Sequence, residues 1–249
     1  MMLTDAIKTF GSYLLLMKRV LTRPERWRMF LRRTLREIYQ LGISSIPIVI
    51  IISLFIGAAL CIQMKTNVES PWMPKFITGY ATREVLLLEF SSTIMCMILA
   101  GKVGSNITSE IGAMRVTQQI DALDMMGVNS AGFLVLPKVV ATTFLSPLLM
   151  LLSLALGLVG GWIVVSATHI IPPPSYITGI KAFYNGFYIF YSCFKMSLFC
   201  FLISSIAAFN GYFAKGGSLG VGRSSTKAIV ITSILILMSD LIVTQLMLY

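Results

Sequence analysis

Residues 43–64 contain no charged side chain, and at about 1.5 Å of rise per residue a helix of that length crosses a hydrocarbon core of about 30 Å. Hydrocarbon offers no partner to a bare N–H or C=O, so such a run must pair its own backbone as helix. Comparable runs follow at 85–103, 144–168, 187–209 and 228–248; the third lies in a longer apolar stretch, 131–171, whose approach is marked by Pro137, Lys138 and Pro147. The predicted fold class is an all-α integral membrane protein with five transmembrane helices. A composition of 56% hydrophobic and 12% charged residues, with a mean hydropathy of +0.84, excludes an ordinary soluble domain.

The formal charge of +10 could suggest nucleic acid, but its placement points to a membrane surface. Lys8, Lys18, Arg19, Arg23, Arg26, Arg28, Arg32, Arg33 and Arg36 all precede the first run, as expected of a cytoplasmic flank near anionic lipid. Residues 1–40 read as holding no span and no signal peptide: 13–17 is too short for a signal core, and Lys18 and Arg19 follow it directly. Residues 24–40, opening at Pro24, set Trp27, Phe30, Leu31, Leu35 and Ile38 at helical spacing, with Arg28, Arg32 and Arg36 on another face, which predicts a helix lying in the interface. Two parts follow: interfacial helices over 1–40 and one transmembrane permease domain over 41–249. Residues 65–83, with Pro71, Trp72 and Pro74, read as a polar connection. With the N-terminus inside, cytoplasmic segments hold fifteen Lys and Arg, and the outer loops hold Lys65, Lys75, Arg83 and Lys181. This asymmetry predicts a cytoplasmic N-terminus and a C-terminus on the opposite side.

Between the second and third runs lies a polar island, residues 101–130, GKVGSNITSEIGAMRVTQQIDALDMMGVNS. Its side chains require water at a membrane face. No proline interrupts it, and 109–126 reads as one helix on which Glu110, Thr117, Asp121 and Asp124 form an acidic stripe. Such a helix suits the docking of a soluble motor, and it equally suits a solvated inter-span loop.

Ionisable residues inside spans are the most informative, because a charge in hydrocarbon needs a partner or a wet cavity. Leaving aside Lys102, which belongs to the polar island, there are three: Glu89, Lys195 and Asp240. By helix rise, Lys195 and Asp240 lie about 12 to 13 Å from the outer ends of their spans, and Glu89 about 6 to 8 Å. They are candidates for a polar cluster around a lipid headgroup; the alternative is an ion-pair lock between helices, with Lys195 snorkelling outward. Gly157 and Gly161 form a GxxxG pair that fits helix packing within one chain or, alternatively, a dimer contact.

Other chemistry has little support. Cys61, Cys96, Cys193 and Cys200 lie in apolar runs without CxxC spacing, and His169 is the single histidine, so neither a metal site nor a cofactor is expected. Residues 211–223 are glycine-rich, but GxxxxGK[ST] occurs nowhere in the chain, and any ATP hydrolysis must come from another subunit. A membrane-embedded enzyme has no paired carboxylates or nucleophile motif to work with. An ATP-independent lipid channel or scramblase would share the intramembrane charges but have no use for a docking helix.

SEIGAMRVTQQIDALDMMGV in the island, and FNGYFAKGGSLGVGRSSTKAIV near the C-terminus, resemble the MlaE (YrbE) permeases, membrane subunits of ABC transporters that move phospholipid in diderm bacteria. The resemblance covers nearly the whole chain. It implies N-terminal interfacial or elbow helices and a cytoplasmic coupling helix matching 109–126, with Glu110, Arg115, Thr117, Gln118, Asp121 and Asp124 facing an ABC ATPase. It implies a homodimer in the inner membrane with a periplasmic C-terminus, a periplasmic MCE-domain lipid-binding partner, a small cytoplasmic STAS-type regulator, and a role in outer-membrane lipid asymmetry. The resemblance implies a substrate cavity at Glu89, Lys195 and Asp240, the first two matching polar residues of the family's translocation cavity and Asp240 an acid in its last span, with phospholipid as cargo; related permeases serve sterols or other hydrophobic molecules. This chain departs from the family where an Arg-Glu-Leu-Gly-Pro string is usual, reading Leu88, Glu89, Phe90, Ser91 and Ser92, and Lys102 stands where arginine is common. No nucleic-acid partner is expected.

Overall fold

The computed structural model describes residues 2–21, 27–68 and 72–248; Arg23, Pro24, Arg26 and Pro71 lie outside them. The described residues contain helices and turns and no strand. In chain order the helices are α1 (Met2–Val20), α2 (Trp27–Glu37), α3 (Ile46–Asn67), α4 (Ile77–Val85), α5 (Met95–Leu99), α6 (Ser105–Val116), α7 (Gln119–Met125), α8 (Ser130–Thr168), α9 (Pro173–Lys181), α10 (Gly186–Tyr212) and α11 (Gly217–Leu248). Wide π-helical turns at Ile38–Gly42, Leu86–Ile94 and Ala100–Gly104 carry the chain from one helix into the next.

Among the described residues, five helical stretches are long and apolar enough to span a membrane: Trp27–Asn67, Ile77–Val116, Ser130–Thr168, Gly186–Tyr212 and Gly217–Leu248. They are the five expected spans, each extended beyond its apolar run. Pro137 and Pro147 lie inside α8, a 39-residue helix, because the backbone of an apolar segment has no partner outside the helix ladder. The second span starts at Ile77, inside the expected polar connection, and runs through Val116. Half of the expected island is therefore span-continuous helix, with Val103, Ile107, Thr108 and Ile111 buried.

The chain forms two compact units. One comprises Met1–Ser44, Met97–Leu145 and Leu198–Ser239. In it α1 buries Leu16, Met17 and Val20, and the Tyr13 hydroxyl donates to Ser205 Oγ at 3.0 Å. Asn129 donates to the Arg19 carbonyl at 2.9 Å and accepts from the Gly132 N–H, tying the end of α1 to the first turn of α8. Thr108 donates to the Ala207 carbonyl at 2.9 Å, and Gly211 sits where a Cβ would come within 2.8 Å of the Thr108 carbonyl, so α6 and α10 approach at backbone distance. On α2 the expected apolar side is exposed at Trp27, Leu31 and Leu35, as are Arg28, Arg32 and Arg36. The inward side carries Thr34, Arg33 and Glu37; the Arg33 guanidinium lies 3.4 Å from the Phe133 ring centroid.

The other unit comprises Ser45–Cys96, Ser146–Ser197 and Asp240–Tyr249. Here α3 and α8 touch at backbone distance. A Cβ on Gly57 would overlap the Gly157 carbonyl, and one on Gly160 the Leu54 carbonyl, while Ser53 donates to Ser153 Oγ at 2.8 Å. The GxxxG glycines thus serve packing within the chain: Gly161 accommodates the Tyr176 hydroxyl. Burial, with the nearby Cys61, pushes the Tyr176 phenol above its usual range, so it remains a donor to the Leu158 carbonyl at 3.3 Å. Helices α4 and α9 pack through Gly79 and Gly179. Arg83 closes the end of α9 by donating to the carbonyls of Ile180 and Ala182, both at 2.7 Å. That is the polarity the last carbonyls of a helix favour.

Candidate functional site

The three charges expected inside spans, Glu89, Lys195 and Asp240, come together in one unit. Lys195 is fully buried on α10, and its Nζ lies 2.5 Å from Asp240 Oδ1 on α11 and 3.2 Å from Glu89 Oε1. It also donates to the Leu88 carbonyl at 3.1 Å and reaches Thr244 Oγ1 at 3.5 Å. The Thr93 hydroxyl lies 3.0 Å from Asp240 Oδ1 and 3.3 Å from Glu89 Oε2, within donating distance of both carboxylates. Tyr191 and Thr244 share a hydrogen bond of 2.8 Å, and the Lys195 ammonium stands 5.3 Å from the Tyr191 ring centroid.

The wide turns at Leu86–Ile94 matter to this arrangement, because a π-helical register redirects carbonyls from the ordinary ladder. Two successive carbonyls receive side chains from α10: Leu87 from Ser192 Oγ at 2.6 Å, and Leu88 from Lys195. With the second span beginning at Ile77, Glu89 lies about 18 Å along it, not the 6 to 8 Å expected from the shorter run. Thr93, Tyr191 and Thr244 join the expected trio without having been singled out by their residue type. Each lies four residues from a member of it, Thr93 from Glu89, Tyr191 from Lys195 and Thr244 from Asp240. Helical spacing was the available signal.

The other unit holds a buried lysine of its own. Lys138 on α8, 2% exposed, bonds Glu37 Oε1 at 2.8 Å and Glu110 Oε2 at 2.7 Å. Glu110 is therefore engaged with α8 and α2. The expected single helix over 109–126 is two helices, α6 and α7, separated at Thr117 and Gln118. Gln118 adopts a left-handed conformation with φ of +59°, which stops α6 and redirects the chain, so the acidic stripe does not form on one helix face. Past this corner Asp121 and Asp124 are exposed, Ile120 is buried, and Met125 is 89% exposed. Arg115 reaches across the corner to Asp121 Oδ1 at 2.5 Å, and the Thr117 hydroxyl turns back onto the Ala113 carbonyl at 2.9 Å. Among the described residues no group of His, Cys, Asp and Glu is arranged to hold a metal ion.

Comparison with known proteins gives a consistent result. The family model described as Permease MlaE matches residues 34–246. A probable ABC transporter permease protein of Rickettsia bellii is 32% identical across 98% of this chain and 93% of its own length. A probable ABC transporter permease protein of Synechocystis is 32% identical across 87% of this chain and 82% of its own length. The chloroplastic protein trigalactosyldiacylglycerol 1 of Arabidopsis thaliana is 26% identical across 86% of this chain and 61% of its own length.

Proposed function

The chain belongs to the MlaE permease family, and from that premise we propose that it is the membrane subunit of an ABC transporter moving phospholipid between the inner membrane and a periplasmic MCE-type lipid-binding partner. The observation that carries this reading is the ion cluster of Glu89, Lys195 and Asp240 set within apolar helices, with the Glu89 side chain 43% exposed. A phospholipid is a polar head on apolar tails, and a cavity that accepts one needs this combination.

The chain has no phosphate-binding loop, so its power stroke comes from a separate ATPase. The docking surface is the corner formed by Arg115, Thr117, Gln118, Asp121 and Asp124, and Glu110 anchors that corner through Lys138 to α2 and α8. A rigid corner with one special backbone position passes a displacement on to the helix that continues from it. Two copies of the chain sit over two ATPases, with the N-terminus cytoplasmic and the C-terminus periplasmic.

The test is affinity purification of the solubilised protein from its native membrane, with mass spectrometry of the proteins and lipids that accompany it. Recovery of a P-loop ATPase, an MCE protein and phospholipid, with the ATPase lost when Asp121 and Asp124 are both changed to Lys, is the expected result. A chain that emerges alone and moves lipid between vesicles without ATP would instead be a channel.

A further inference from the structure

Lys195 is the obvious group to hold a lipid phosphate, yet it has nothing left to offer. An ammonium has three N–H donors, and four acceptors already surround this one: Asp240 Oδ1, the Leu88 carbonyl, Glu89 Oε1 and Thr244 Oγ1. Its side chain is 0% exposed, Asp240 is 17% exposed and Glu89 is 43% exposed. The accessible charge in the cluster is a carboxylate. Two carboxylates face one cation, and no other described cation pairs with either. Leu88, next to Glu89, contributes a carbonyl and no cationic side chain.

An open carboxylate deep along an apolar helix is expensive unless water or a ligand meets it. Lys195 holds Glu89 Oε1, and the single Thr93 proton lies nearer Asp240 Oδ1, at 3.0 Å, than Glu89 Oε2, at 3.3 Å, so the half-exposed Glu89 carboxylate keeps acceptor capacity for a ligand. We infer that Glu89 is the specificity-determining residue for the cargo, accepting the primary ammonium of a zwitterionic headgroup, and that lipids lacking an ammonium are disfavoured. Lys195, through its contact with Glu89 Oε1, stands behind it. This rests on the lipid-permease reading and goes further by naming the headgroup chemistry.

The experiment uses the full-length protein in detergent, exposed to equal amounts of dioleoyl phosphatidylethanolamine, its N-acetylated form and dioleoyl phosphatidylglycerol, with retained lipid quantified by mass spectrometry. The expected result is roughly a tenfold preference for phosphatidylethanolamine over both others, the scale of one hydrogen bond to a charged group. In Glu89→Gln that ratio falls to near one. The N-acetylated lipid keeps the acyl chains and phosphate and exchanges the ammonium for a neutral amide, so the wild-type comparison stands even where the variant fails to fold. Equal retention of all three lipids by the wild type, or an unchanged preference in Glu89→Gln, would overturn the headgroup assignment while leaving a lipid permease. Retention of none of them would overturn the lipid reading itself.

Discussion

Lys195 Nζ lies 2.5 Å from Asp240 Oδ1, joining the middle of α10 to α11, and no part of the lysine side chain is exposed. Removing one partner of a buried ion pair strands the other charge, typically at about 3–5 kcal/mol, whereas replacing both partners is often close to neutral. Lys195→Met should therefore lower the melting temperature in detergent sharply. The double change Lys195→Met with Asp240→Asn should recover most of the loss, since Glu89, 43% exposed, can remain hydrated. No recovery would mean that the pair does more for the fold than its charges explain.

Lys138 offers a graded version of the same test. It faces Glu37, whose side chain is 12% exposed, and Glu110, at 35%. Lys138→Met leaves two carboxylates facing each other near the protein interior and should be the most damaging, on the order of 3–5 kcal/mol. Glu37→Gln should be intermediate. Glu110→Gln should change the unfolding midpoint least, within about 1 kcal/mol, because the more exposed pair is weakened by solvent and Glu37 still satisfies the lysine. Thermal unfolding of the three variants under one condition checks the order.

The spans and their charged residues were legible because hydrocarbon leaves few solutions: an apolar run must be helix, and Glu89, Lys195 and Asp240 had to find partners. What escaped depends on long-range contact. Lys138 is 101 residues from Glu37 and 28 from Glu110, so nothing local shows that it is buried rather than flanking a span. The end of the second span escaped for a related reason, since Thr108 satisfies its hydroxyl on the Gly104 and Ala207 carbonyls and thereby sits in the protein interior. The corner at Gln118 carries neither Gly nor Pro, the residues that usually announce one.

Glycines separate packing from mere tolerance. A methyl group on Gly57 or Gly160 would run into backbone, the Gly157 and Leu54 carbonyls, which cannot rotate away. Gly57→Ala and Gly160→Ala should each destabilise by about 1–3 kcal/mol. At Gly101 no atom lies within 4 Å of the position that an alanine methyl would take, so Gly101→Ala should be neutral or stabilising, by up to about 1 kcal/mol from helix propensity. Thermal unfolding in detergent ranks the three. If the first two variants were as stable as wild type, α3 and α8 would not be held at backbone distance.

The corner between α6 and α7 gives the prediction that separates stability from function. A left-handed backbone costs a residue with a Cβ about 1–2 kcal/mol, and Gln118 sits at φ +59°. Gln118→Gly should therefore raise the melting temperature slightly, while Gln118→Val, β-branched and poorly suited to that region, should lower it. The adjoining pair of Arg115 and Asp121 is solvent-exposed at 35% and 54%, so losing it should alter stability by less than about 1 kcal/mol. Asp121→Lys combined with Asp124→Lys should accordingly leave the unfolding midpoint nearly unchanged and abolish co-purification of the ATPase. Two measurements on one preparation decide the matter: a melting curve, and the ratio of ATPase to permease after affinity purification. Retained ATPase at an unchanged melting temperature would move the docking surface away from this corner.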